Sequence, residues 1–91
     1  MRPWRGPRRE VVIYTRQGCG LCAAAERLVA REARGHDVRH VDVDTDEGLQ
    51  RRYGVRVPVV TVDGAEVAEL QVAPGEVRTG LRRYRGPRRA R

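Results

Sequence analysis

The 91-residue sequence predicts an α/β domain, a four-stranded mixed sheet with helices on both faces. Three observations predict this fold class. β-Branched runs alternate with helix-forming segments in the first half of the chain, an order that requires parallel strands joined by a right-handed crossover. An Asp-Gly pair at residues 63–64 separates two later apolar runs, which indicates a β-hairpin and an antiparallel edge. A final amphipathic segment completes the order strand–helix–strand–helix–strand–strand–helix.

The first half of the chain predicts a strand, a helix and a second strand. Val11–Thr15 is a β-branched and aromatic run that is typical of a buried strand. A helix is predicted from about Cys22 to Arg34, because its apolar residues share one face and Gly35 suits its C-terminal cap. Val38–Val43 predicts the second strand, with alternate valines on one side.

A short second helix is predicted to follow that strand. Asp44 is the expected N-cap, and Glu47 three residues later resembles a capping box. This helix is expected to run through Tyr53 and to end at Gly54.

The last third of the chain predicts the hairpin and a third helix. Val59–Val62 and Glu66–Leu70 flank the Asp-Gly turn as its two strands. Pro74 suits the first turn of the last helix. The apolar face of that helix has the spacing i, i+4, i+7, at Val77, Leu81 and Tyr84.

Charge is distributed unevenly along the chain. The formal net charge is +7, yet the only charged residues in 1–9 and 82–91 are arginines, whereas residues 10–81 hold nine arginines and twelve acids. Both ends contain the pentapeptide Arg-Gly-Pro-Arg-Arg. Because Pro, Gly and like charges cannot bury a core, we predict basic flexible tails at residues 1–9 and 85–91 around a domain of residues 10–84.

Composition also constrains partners and location. Clustered arginine attracts phosphate, but Trp4 and Tyr84 are the only aromatic residues near the tails, so we expect no nucleic-acid partner. No apolar run reaches the length of a membrane span, and no leader pattern precedes the first strand. We therefore expect a cytoplasmic monomer with no membrane partner, in which two close cysteines indicate redox or metal chemistry.

The motif Cys19-Gly20-Leu21-Cys22 lies where the first strand passes through a polar turn into the first helix. Unpaired backbone N–H groups and the positive end of the helix dipole favour a thiolate there and lower the pKa of the thiol. We therefore predict a thiol–disulfide exchange site. Cys19, at the helix opening, is the expected nucleophile, and Cys22, one step inside, resolves the mixed disulfide. The pair would form the redox-active disulfide, with no metal and no tightly bound cofactor.

With this motif in place, the chain resembles the glutaredoxin branch of the thioredoxin superfamily, in particular short bacterial glutaredoxin-like proteins. The resemblance covers roughly residues 10–84. Its anchors are Tyr14-Thr15-Arg16 before Gly-Cys-x-x-Cys, and the segment Val55-Arg56-Val57-Pro58-Val59. It implies a thioredoxin-like fold and a glutaredoxin-like dithiol–disulfide oxidoreductase that acts on disulfide-containing proteins or low-molecular-weight mixed disulfides.

The resemblance also implies roles for individual residues. Pro58 is expected to be cis and to pack against the cysteine pair, and the backbone of Val57 is expected to pair with an extended substrate peptide. Leu21 occupies the position at which the family usually has a Tyr. It is expected to bind substrate together with Val57 and Pro58. Arg16, three residues before Cys19, is expected to stabilise the thiolate.

The electron donor is left open between glutathione and another thiol. The positions that usually hold the ends of glutathione align with Ala68, Glu69 and the segment Leu70–Val72. Since Ala68 offers no carboxylate and Glu69 would repel the glutamyl carboxylate, we expect weak activity with glutathione. A protein dithiol or a different low-molecular-weight thiol is expected to serve better.

The same two cysteines allow other interpretations, namely a metal site, a structural disulfide or a redox-inactive domain. Cys19-x2-Cys22 and His36-x3-His40 match the spacing of a Cys2His2 zinc finger. However, four residues along a strand place the two histidine side chains roughly 13 Å apart, which is too far for both to bind one ion. An iron–sulfur cluster usually requires a monothiol site and an intact glutathione clamp. A structural disulfide would close too short a loop to constrain the unfolded chain. The main alternative is a redox-inactive module of the same fold that associates with anions or nucleic acid through the arginine tails.

Overall fold

The computed structural model describes residues 8–83. Most of both predicted tails, and Tyr84, lie outside the described residues. Within them the secondary structure follows the predicted order, with a short 3-10 turn before the second helix. The elements are β1 (Glu10–Thr15), α1 (Gly20–Glu32), β2 (Asp37–Asp42), the 3-10 turn (Val43–Thr45), α2 (Glu47–Tyr53), β3 (Val59–Val62), β4 (Ala65–Glu69) and α3 (Glu76–Arg83).

The four strands form one mixed sheet in the order β2-β1-β3-β4. β1 is parallel to β2, and β3 is antiparallel to both β1 and β4. The crossover through α1 and the hairpin between β3 and β4 are therefore those that the sequence predicts. Over residues 8–83, every helix is too short or too polar to cross a bilayer.

The two faces of the sheet carry separate apolar clusters, because alternate residues of a strand point to opposite faces. The larger cluster joins the sheet to α1 and α3. Its buried members are Val11, Ile13, Ala25, Leu28, Val29, Ala33, Val60, Val62, Ala68, Val72 and Val77. The smaller cluster joins the opposite face to α2. It contains Val43, Tyr53 and Val59, with Tyr14, Leu49 and Val57 packed against them. The predicted α/β fold, with helices on both faces, is confirmed.

One edge of the sheet brings together the ends of all four strands. Tyr14 pairs with Val59, which pairs in turn with Glu69, and Thr15 pairs with Asp42. The segments that leave β1, β2 and β4 and the segment that enters β3 therefore meet at this edge. The cysteine motif follows β1, so the topology places it among three other loops.

The predicted N-cap of the second helix was wrong. Asp46, not Asp44, caps α2, because the Asp46 carboxylate accepts hydrogen bonds from the backbone N–H groups of Gly48 and Leu49. β2 ends at Asp42, and Asp44 lies inside the intervening 3-10 turn, before α2 begins. The carboxylate of Asp44 is consequently available to another part of the molecule.

Several element bounds differ from the predicted ones; β1 and β2 each begin one residue earlier than predicted, and β2 also ends one residue earlier. α1 begins at Gly20 rather than Cys22, because Cys19 is already its cap, and it ends at Glu32. β4 ends at Glu69, since Leu70 has a left-handed φ of 62° that no strand can continue through. Pro74 precedes α3, which begins at Glu76, instead of occupying its first turn.

Arg9, which the sequence assigned to the basic tail, packs onto the domain. Its side chain is 12% exposed; Nε donates to Asp63 at 2.6 Å and Nη1 donates to the carbonyl of Leu81 at 2.8 Å. Its backbone N–H donates to Nδ1 of His36 at 3.0 Å, and its carbonyl accepts from the N–H of Asp37. These contacts tie the start of β1 to the hairpin turn and to α3.

The N-terminus of α3 is held by a residue of α1. The side chain of Glu32 is 3% exposed, and its carboxylate accepts hydrogen bonds from the backbone N–H groups of Gly75 at 2.6 Å and Arg78 at 3.0 Å. This long-range cap supplies the acceptors for two backbone N–H groups at the start of α3.

Glu32→Ala is expected to lower the free energy of unfolding by about 1–3 kcal/mol, because it leaves two N–H groups at a helix terminus without their acceptor. Glu26→Ala is the matched control, since it removes the same charge from the same helix, and the Glu26 carboxylate accepts no hydrogen bond among the described residues. Urea unfolding of both variants measures the difference. Equal midpoints would contradict the capping role.

Candidate active site

Cys19 is the N-cap of α1. Its backbone is extended, with φ −97° and ψ 112°, and its Sγ accepts a hydrogen bond from the N–H of Cys22 at 3.1 Å. The carbonyl of Cys19 accepts the first helical hydrogen bond, from Ala23. A thiolate at this cap would receive both an amide hydrogen bond and the favourable end of the helix dipole.

The two cysteines are at disulfide distance and differ in exposure. Their Cα atoms are 5.2 Å apart, and the structure joins the two Sγ atoms in a disulfide. Cys22 is 2% exposed and faces the core, whereas Cys19 is partly exposed. Gly18, immediately before the pair, has a φ of 76°, which L side chains rarely adopt. Because Cys19 is the more exposed of the two cysteines, an incoming sulfur atom can reach it more readily than Cys22.

The loop before β3 lies at the same edge of the sheet. The Val57–Pro58 peptide bond is cis, as the resemblance implied, and Pro58 is buried. The carbonyl of Pro58 accepts a hydrogen bond from the N–H of Leu70 at 2.8 Å, which joins this loop to the end of β4. The side chain of Val57 packs in the smaller cluster. Pairing of its backbone with a substrate, and contact between Pro58 and the cysteines, stay predictions.

Arg16 joins three segments at this edge. Its Nε and Nη2 donate to the carboxylate of Asp44, each at 3.0 Å, and its Nη1 donates to the carbonyl of Gly54 at 3.0 Å. The guanidinium thus connects the turn before Cys19 to the 3-10 turn and to the end of α2. The role predicted for Arg16 toward the thiolate stays a prediction.

The Arg16–Asp44 pair changes the electrostatics of the predicted thiolate site. The hydrogen bonds from Arg16 hold the pKa of Asp44 below its usual value, and those to Asp44 raise the pKa of Arg16. Both groups are therefore charged at neutral pH, and much of the Arg16 charge is offset locally. The sequence did not identify Asp44 as part of the site, because its position after a strand suggested a helix cap.

Arg56 is also held by carboxylates. Its Nη1 donates to Glu66 and to Glu69, each at 2.8 Å, and its guanidinium lies 5.6 Å from the ring centroid of Tyr53. Hydrogen bonds to both glutamates raise the pKa of Arg56, and the one from Arg56 lowers the pKa of Glu66. The carbonyl of Arg56 accepts from the N–H of Leu70, so this network adjoins the Pro58 loop.

Three large apolar side chains are exposed on segments at this edge, and the most exposed is Val55, at 93%, on the segment that enters β3. Leu21, inside the cysteine motif, is 45% exposed, and Leu70 is 42% exposed. The sequence predicted Leu21 as a contact residue but treated Leu70 as a strand residue. The positive φ of Leu70 moves it out of the sheet, and no local sequence signal marks that conformation.

The zinc-finger alternative does not fit the geometry. Cys19 and Cys22 lie at the start of α1, whereas His36 follows its end; a helix of 13 residues is roughly 20 Å long. His36 accepts a hydrogen bond from Arg9, and His40 lies in β2 opposite Ile13. Among residues 8–83, no three histidine, cysteine or acidic side chains lie close enough together to hold a metal ion.

Comparisons with known proteins agree with this arrangement. The model of the Glutaredoxin-like domain (DUF836) matches residues 10–82. The uncharacterized protein Rv0508 of Mycobacterium tuberculosis is 34% identical over 83 residues, which cover 84% of this chain and 86% of that protein.

Two solved structures are also similar. The crystal structure of protein XcR50 from X. campestris has a TM-score of 0.70 and 31% identity, covering 81% of this chain and 97% of that one. The solution structure of protein Ne2328 from Nitrosomonas europaea has a TM-score of 0.61 and 26% identity, covering 84% and 93%.

Proposed function

The chain belongs to the Glutaredoxin-like domain (DUF836) family, and from that premise we propose that it is a dithiol–disulfide oxidoreductase. Its substrates are protein disulfides or mixed disulfides with small thiols. The observation that carries the proposal is the hydrogen bond from the Cys22 amide to Sγ of Cys19 at the opening of α1. An acceptor at that position is stabilised most when it is a thiolate, which is the reactive form of the group.

The exchange cycle follows from the different exposure of the two thiols. The Cys19 thiolate attacks one sulfur of the substrate disulfide, forms a mixed disulfide and releases the first substrate thiolate. Cys22 then loses its proton and attacks Sγ of Cys19, which forms the Cys19–Cys22 disulfide and releases the second substrate thiolate. The cysteine pair gives two electrons to the substrate, and the two released thiolates are protonated by the proton that Cys22 lost and by one from solvent.

The structure supports this proposal for the oxidised state of the cysteine pair and for substrate binding. The cysteines are at the distance that the oxidised state requires, with Cα atoms 5.2 Å apart. Leu21 and Leu70 offer apolar surface beside the exchange site, to which a protein substrate can bind. No metal ion enters any step of the proposed cycle.

Turnover tests the proposed function directly. The purified chain is expected to accelerate the reduction of insulin and of a glutathione mixed disulfide above the rate without protein. Glutathione with its reductase and a thioredoxin–thioredoxin reductase system serve as parallel electron sources, and dithiothreitol confirms that the cysteine pair can be reduced. If the reduced chain reacts with none of these substrates, the proposal is refuted and the redox-inactive module becomes the better account.

A further inference from the structure

Two of the arginines on segments that meet at the exchange site, Arg16 and Arg56, are already paired with carboxylates. Arg16 binds Asp44 through two guanidinium nitrogens, and Arg56 binds Glu66 and Glu69. At the strand-end edge of the sheet these five side chains bring two positive and three negative charges. Neither guanidinium is left to bind an incoming anion without a competitor.

Glutathione carries two carboxylates, so its binding depends on cations placed to receive them. Among the cations at this edge, Arg16 lies closest in sequence to the cysteine motif, and a glutathione carboxylate bound to it would leave Asp44 without its partner. We propose, on the basis of the proposed function, that Asp44 is a specificity-determining residue. By holding Arg16, it directs the site toward donor thiols without net negative charge and away from anionic thiols such as glutathione.

The position of Asp44 is itself fixed, which makes the pairing persistent. Its backbone N–H donates to the carboxylate of Asp42 at 2.9 Å, and Nε2 of Gln50 donates to its Oδ1 at 3.3 Å. Arg16 is held from its other side by the carbonyl of Gly54. An anion that binds Arg16 in place of Asp44 must therefore supply the interaction free energy that this bidentate pair loses.

The step on which this selectivity acts is the reduction of the Cys19–Cys22 disulfide. A donor thiolate attacks Sγ of Cys19, and Cys22 leaves as a thiolate that takes up a proton. A second donor thiolate attacks the donor sulfur of the mixed disulfide, which releases the Cys19 thiolate and the donor disulfide. Two donor thiols are oxidised, and the cysteine pair receives two electrons.

The test compares glutathione with its diethyl ester, in which both carboxylates are neutralised. The rate constant for reduction of the protein disulfide by each thiol is divided by its rate constant with bis(2-hydroxyethyl) disulfide, which corrects for intrinsic reactivity. At 0.15 M ionic strength, screening limits the comparison to charges within about 8 Å. The corrected constant of the wild-type chain is expected to be about threefold lower for glutathione than for the ester.

Asp44→Asn should remove most of this difference, because it releases the charge of Arg16. Glu47→Gln is the matched control: it removes the same charge nearby, on an exposed residue whose ion-pair partner is Arg51. It should leave the ratio unchanged. The proposal is overturned if the wild-type chain reacts with glutathione at least as fast as with the ester, or if the two variants shift the ratio equally.

A further measurement keeps the test decisive if Asp44→Asn does not fold, as judged by circular dichroism. Raising the ionic strength of the wild-type reaction from 0.05 to 0.5 M should bring the two corrected constants together, and constants that stay apart would overturn the proposal. Failure of the proposed function has a different signature. In that case the reduced chain does not turn over substrates, but the Cys19–Cys22 disulfide is still reduced by the donor thiols. The ratio of the corrected rate constants for glutathione and its ester can then still be measured.

Discussion

Cys19→Ser is expected to reduce disulfide exchange to the rate without protein, whereas Cys22→Ser should trap a stable mixed disulfide with the substrate. The reason is position. Cys19 is partly exposed and accepts the amide hydrogen bond at the opening of α1, and Cys22 is 2% exposed. A serine at position 19 supplies no thiolate, while a serine at position 22 removes only the group that resolves the intermediate.

Mass spectrometry and alkylation measure these two outcomes. Mass spectrometry of Cys22→Ser after incubation with a substrate disulfide should show one substrate thiol bound, and Cys19→Ser should show none. In the reduced wild-type chain, iodoacetamide should modify Cys19 faster than Cys22 at pH 7, because Cys19 is partly exposed at the opening of α1 and Cys22 is buried. Faster modification of Cys22 would reverse the assigned roles.

The position of the cysteine pair was predictable because its signals are local. Two cysteines with this spacing, a β-branched run before them and an alanine-rich segment after them fix the pair at a helix N-terminus. The order of strands and helices likewise follows from patterns a few residues long. The calls on Val57 and Pro58 came from the family resemblance. In the structure their loop lies at the same end of the sheet as the cysteine motif, because the two segments adjoin neighbouring antiparallel strands.

The charged surroundings of the site were less predictable, because long-range contacts decide them. Asp44 has the sequence context of a helix cap, yet it binds Arg16, which is 28 positions away. Arg56 could have bound a glutathione carboxylate, but the hairpin brings Glu66 and Glu69 to it. In each case the competing partner comes from another element, so local sequence patterns could not indicate which contact would form.

A close approach between α3 and the sheet shows the same limit. The sequence marks Val77 and Leu81 as the apolar face of this helix, but nothing local distinguishes Gly80. In the structure Gly80 is buried against Val67 of β4. A Cβ atom at position 80 would lie 2.7 Å from Cβ of Val67, and 2.8 and 2.9 Å from its two Cγ atoms.

Substitution of Gly80 is therefore expected to have the largest effect on stability. An alanine in a helix interior usually gains about 1 kcal/mol over glycine, but an added atom in a packed interior costs about 1–3 kcal/mol and sometimes more. The upper part of that range applies, because Cβ of Val67 is fixed to the backbone of β4 and cannot rotate away. We expect Gly80→Ala to lower the free energy of unfolding by about 1–2 kcal/mol and Gly80→Leu by about 3 kcal/mol or more.

Urea unfolding followed by circular dichroism measures this loss, and Thr79→Ala provides the control at the neighbouring exposed position of α3. Thr79→Ala should leave stability unchanged or raise it by up to about 0.5 kcal/mol, because alanine is the better helix former and meets no contact there. Domains of this size are stable by only about 5–15 kcal/mol, so Gly80→Leu should unfold at a clearly lower urea concentration. A midpoint for Gly80→Ala above that of the wild-type chain would mean that α3 moves away from Val67 at little cost, and that helix propensity outweighs the contact between α3 and β4.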